Sequence, residues 1–172
     1  MQALLRMAPL AGEDIPVERL SPEQARARLR AGAAAVAGPK RDLPAVNDLA
    51  IPGPAGAIPA RLYEPPGVGI ENRPLIVYFH GGYWMIGDLD THDGVCRFLA
   101  ANASVAVLSV DYRLAPEHPF PAAVDDAFAA YRWASEEHAR LGIDPSRIGV
   151  AGDSAGGNLA TVISRLARDD GV

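Results

Sequence analysis

The sequence predicts an α/β fold, a mostly parallel sheet flanked by helices in three layers. Two observations predict it. Residues 75–79 (LIVYF), 105–110 (VAVLSV) and 147–152 (RIGVAG) are short apolar runs. Strands apolar on both faces belong in a parallel sheet covered by helices. Segments with helical spacing lie between these runs, at residues 90–102 and 121–141, and a third follows Ser154. That β-α-β-α-β-α order calls for right-handed crossovers.

The elements follow in chain order. The first sixteen residues carry one arginine, then acids and prolines. They lack the continuous apolar core of a signal peptide. No run is long and apolar enough to cross a bilayer, so the expected compartment is the cytoplasm. Ser21, Pro22 and Gln24 spell a helix start: an N-cap, a proline at the first helical position and a capping box. Gly38-Pro39 ends that helix. Its stripe is Ala25, Leu29, Ala33 and Val36. Alanine buries little, so the helix is expected to rest on something larger. Strands are expected at residues 46–51 and 58–63, joined by PGPAG turn chemistry as an antiparallel pair.

Composition excludes several functions. The chain has 172 residues, enough for one domain with a sizeable core. It is 49% hydrophobic and 22% charged, with net charge -5 and no run of one sign. Nothing suggests nucleic acid or an anionic membrane as partner. The single cysteine, Cys96, rules out an internal disulfide and a multi-thiolate metal site. It reads as a buried thiol on a helix.

Three stretches carry chemistry. Gly152-Asp153-Ser154-Ala155-Gly156 fits G-x-S-x-G after a buried strand and before a helix. There a serine on a sharp strand-to-helix turn is pushed into the open as a nucleophile. Small neighbours let the turn close. A merely well-packed glycine turn, or a phosphate-binding turn, is the alternative; the P-loop lysine and dinucleotide glycine spacing are absent. The second stretch, residues 78–88 (YFHGGYWMIGD), also follows a strand. Glycines let backbone N–H groups approach a developing oxyanion, with one more N–H from Ala155. His80 reads as a residue that shapes this loop. The third, residues 111–126 (DYRLAPEHPFPAAVDD), offers an Arg113–Glu117 pair to pin a loop, with His118 as a turn residue.

Together these stretches resemble the hormone-sensitive-lipase-like esterases, the bacterial family IV enzymes of the α/β-hydrolase fold. The resembling residues are His80 to Trp84, Asp111 to Glu117 and Gly152 to Gly157. The resemblance runs from about Ser21 to Asp170. It implies hydrolysis of small carboxylic esters, with Ser154 as nucleophile and the N–H groups of Gly82, Tyr83 and Ala155 as oxyanion hole. Gly81, His80, Asp153 and Gly156 would support the motifs. No metal or organic cofactor is implied. Residues 1–45 would form N-terminal cap helices, and residues 46–172 the first part of the catalytic domain.

Two departures stand out. Tyr83 occupies the place of a third glycine, which adds a Cβ where unusual backbone angles arise. Kynurenine formamidases resemble the HGGYW form, so an amidase or formamidase is an alternative. The family also places its acid and histidine downstream of the serine. Here only Asp169 and Asp170 follow as acids, and no histidine follows. The expectation is therefore an N-terminal portion, truncated after the elbow helix, with little activity alone. Residues 147–152 would be an open sheet edge that invites self-association. A ligand-binding module, as in the plant gibberellin receptors of this fold, is the other alternative.

Overall fold

In a computed structural model the described residues are 16, 19–67, 69 and 71–171. The start of the expected cap, residues 1–15, lies outside them. The capping box forms at α1 (Pro22–Val36): Ser21 Oγ accepts from Gln24 N at 3.2 Å, and Gln24 Oε1 from Ser21 N at 2.9 Å. Ala25 is the buried residue of this helix.

β1 (Val46–Gly53) and β2 (Gly56–Tyr63) pair antiparallel, with Gly53 opposite Gly56 across the turn. Then β3 (Arg73–Phe79), α2 (Asp93–Ala103), β4 (Ala106–Val110), α3 (Ala122–Glu136), the short α4 (His138–Leu141), β5 (Ile143–Gly152) and α5 (Ala155–Asp170) follow. Strand order is β1-β2-β4-β3-β5, with β3 parallel to both β4 and β5. The segment read as one helix over residues 121–141 is thus two, broken at Glu137. β5 begins earlier than the apolar run suggested. Its pairing with β3 shifts register between Arg73 and Leu75, which accommodates Pro145.

Side-chain alternation on β3 builds two cores, one per sheet face. Leu75, Val77 and Phe79 join Leu159 and Ile163 of α5 and the alanines of α3. Ile76 and Tyr78 face the other way, with Cys96 and Ala100 of α2. Three layers result. The chain leaves β3 for β4 by way of α2 on one face, and reaches β5 by way of α3 on the other. β3 therefore sits where the winding reverses, and the crevice at its carboxyl end is where open α/β sheets hold ligands.

The expectation of a fold truncated after the elbow helix is corrected by these layers. α5 folds back over β5, packs against α3 and buries Leu159, Ile163 and Ala167. Sheet, turn and flanking helices thus continue as one architecture to the C-cap Gly171. Among the described residues no helix is long and apolar enough to cross a membrane.

Candidate active site

Ser154 stands between the end of β5 and the start of α5, at φ 51° and ψ -117°. A non-glycine residue there is strained by about 1–3 kcal/mol and persists only where its surroundings hold it. Gly156 supplies part of the hold: a Cβ on it would run into the carbonyl oxygen of Phe79. The elbow is thereby pressed onto the end of β3. The serine is exposed, and among the described residues nothing hydrogen-bonds its hydroxyl. The N–H of Ala155 opens α5 and has no intrahelical acceptor.

The glycine turn is tied to this elbow by the residue before the serine. Asp153 Oδ1 accepts from Gly81 N at 2.9 Å and from the Tyr78 hydroxyl at 2.8 Å. His92 Nε2 lies 3.4 Å from the same oxygen. The Gly81 N–H is therefore occupied, and the next two, on Gly82 and Tyr83, have no acceptor among the described residues. Gly82 sits at φ 128°, and a Cβ there would strike the Ile86 carbonyl. Its own carbonyl accepts from Met85 N and Ile86 N, each at 2.9 Å. Tyr83 and Trp84 both adopt φ 56°, so two side-chain-bearing residues take left-handed geometry in succession. The Tyr83 ring points outward and is 74% exposed.

His80 is fully buried under this turn, stacked on Tyr112 at 4.4 Å. Its Nδ1 lies 2.9 Å from Gly81 O, and Tyr112 donates its hydroxyl to His80 O at 2.7 Å. Burial pushes the imidazole down to about 4, so it is neutral at pH 7. Its Nε2 has no hydrogen-bond partner and lies 4.0 Å from Asp111.

Arg113 does not pair with Glu117. It forks onto buried Asp126 of α3, with Nε–Oδ2 and Nη2–Oδ1 both at 2.8 Å. Glu117 instead takes Arg26 of α1, at 2.7 and 2.8 Å. Sequence reasoning missed Tyr78, His92, Arg26 and Asp126. Tyr78 was findable, because alternation along LIVYF puts it on the α2 face. Cys96 is buried, and burial pushes its thiol up to about 12. His138 bonds Ser135 O, away from the elbow, and Asp169 is engaged by Arg165 and Arg168. Among the described residues no group of His, Cys, Asp or Glu is arranged to hold a metal ion.

Residues 76–172 match a protein family described as alpha/beta hydrolase fold. The carboxylic ester hydrolase LipN of Mycobacterium tuberculosis is 57% identical over 146 residues, 84% of this chain and 38% of that protein. An esterase of Pyrobaculum calidifontis superposes with a TM-score of 0.83 at 44% identity, covering 90% of this chain and 50% of its own. An α/β-hydrolase enzyme from the metagenome of Lake Arreo, Spain, gives a TM-score of 0.88 at 36% identity, covering 99% and 52%. The chain thus spans about half the length of these solved structures. The recognition of an N-terminal portion only is corrected here: the family match covers residues 76–172, and the solved folds take in nearly all of this chain. The chain belongs to the α/β-hydrolase fold family.

Proposed function

We propose that the protein hydrolyses carboxylic esters of small molecules. Ser154 is the nucleophile, and the N–H groups of Gly82, Tyr83 and Ala155 form the oxyanion hole. The observation that carries this reading is the Asp153–Gly81 bond at 2.9 Å. It fastens the glycine turn to the residue before the serine, and the two following N–H groups have no acceptor among the described residues. The esterases and ester hydrolases to which the chain is similar support the same reaction.

Ser154 Oγ adds to the ester carbonyl, and the electron pair moves onto the carbonyl oxygen among the N–H donors. The adduct collapses, the C–O bond to the alcohol breaks and the alkoxide leaves with the proton that Ser154 Oγ gave up; water then releases the acid from the acyl-serine and returns a proton to Oγ. No metal or cofactor enters this scheme. The serine proton needs a base. All four histidines precede Ser154, and none bonds it among the described residues. Turnover by these residues is expected to stay near what an oxyanion hole and binding alone sustain, roughly 10³–10⁴-fold over water. Hydrolysis of p-nitrophenyl acetate and butyrate tests this against Ser154→Ala. The expected result is a slow, saturable rate that the variant loses; a rate indifferent to the substitution would sink the proposal.

Residues 1–45 are proposed as a cap and residues 46–172 as part of the catalytic domain. Cytoplasmic residence is part of the same proposal, consistent with a buried free thiol. So is self-association along β5, whose outer edge lacks a strand partner among the described residues. Light scattering should then show mass rising with concentration; a constant monomer mass would refute it.

A further inference from the structure

We infer that Arg26 of α1 is a positioning residue that holds the oxyanion turn in its strained geometry. This rests on the reading of Gly82 and Tyr83 as oxyanion donors.

One guanidinium reaches two loops. Arg26 Nε donates to Met85 O at 2.9 Å, inside the turn that carries the two free N–H groups. Its Nη2 donates to Ala115 O at 3.1 Å, and Nη1 and Nη2 fork onto Glu117. The two loops also bond each other directly, Ala115 N to Trp84 O at 2.8 Å. The Arg26 side chain is only 18% exposed, although its helix buries little. A second arginine one turn along, Arg30, bonds Asp88 at 2.5 Å, just past the same turn. α1 is therefore attached through polar forks aimed at this loop rather than through an apolar face.

The turn needs an outside hold. Tyr83 and Trp84 both lie at φ 56°, which side-chain-bearing residues adopt only when their surroundings enforce it. From within, the turn is held by Met85 N and Ile86 N on Gly82 O. From outside, Arg26 takes the carbonyl of Met85, so the Met85–Ile86 peptide is fixed at both ends. A lysine keeps the charge but not the planar fork that serves three acceptors at once.

Two readouts test this with Arg26→Ala and Arg26→Lys, beside Arg132→Ala, an exposed α3 residue, as control. Amide hydrogen exchange at Met85 and Ile86 should quicken at least tenfold in both Arg26 variants and not in the control. The kcat for p-nitrophenyl acetate should fall about tenfold or more, with KM within about twofold, since losing an oxyanion donor outright costs roughly 10²–10³. Unchanged exchange would overturn the proposal whatever happens to turnover. So would faster exchange with unchanged kcat, or full recovery of both readouts by lysine. If wild-type hydrolysis does not depend on Ser154, the esterase reading fails by itself. Exchange then still decides whether Arg26 holds the turn.

Discussion

His80 and Asp111 face each other across 4.0 Å, and burial acts on them in opposite directions. The imidazole is held near 4 against an ordinary 6.5. It contributes stability that is present above pH 6.5 and lost as pH falls toward 4. Burial pushes the Asp111 carboxyl up to about 6 from 3.8, with Asp88 adding repulsion. Its contribution is present below pH 3.8 and lost as pH rises through 6. The two oppose each other between about pH 4 and 6, which flattens the profile. Asp111→Asn removes the acid's part. Urea midpoints of that variant are expected to fall more steeply than wild type from pH 6.5 to 4. Parallel profiles would contradict the assignment. Of the residues beside the elbow, His80 was legible as a loop-shaping histidine, because its motif places it at the end of a buried strand. Asp111 was not, because its partner is set by how β4 lies against β3.

At the scale of elements, the loop between β4 and α3 is tied to α3 by a buried ion pair, Arg113–Asp126. Asp126 is 1% exposed and accepts from Arg113 N at 2.9 Å as well as from its guanidinium. Removing the fork leaves a buried carboxylate unpaired, which costs about 3 kcal/mol or more. Arg113→Ala should lose that much in urea unfolding. A loss under about 1 kcal/mol, the size of an exposed ion pair, would show that the contact is incidental. The strands were legible because runs such as LIVYF are apolar on both faces, and α1 because Ser21 and Gln24 complete a reciprocal cap. The break between α3 and α4 was not. No glycine or proline marks Glu137, and the apolar spacing continues past it. The Arg113–Glu117 expectation failed for a related reason. Spacing reveals partners four residues apart, whereas Glu117 meets Arg26 across 91 positions.

The whole molecule gathers its chemistry at the carboxyl ends of β3 and β5, where the winding reverses. Three motifs distant in sequence meet there because β3 and β5 are neighbours and β4 lies on the other side of β3. G-x-S-x-G and His-Gly-Gly were readable one at a time, since each is a local steric demand. Their fastening through Asp153 and Tyr78, and the outer hold through Arg26, belong to the assembled sheet and so left no local mark. α5 joins that assembly, its apolar face meeting α3 and β5 within the same layers.

The central claim is that Ser154 attacks an ester carbonyl beside the N–H groups of Gly82, Tyr83 and Ala155. Mass spectrometry after incubation with p-nitrophenyl acetate tests it most directly. With no imidazole bonded to the serine among the described residues, deacylation should lag, and an acetyl group should accumulate on the peptide that contains Ser154. An acetyl group found only on lysines, or equally in Ser154→Ala, would contradict it.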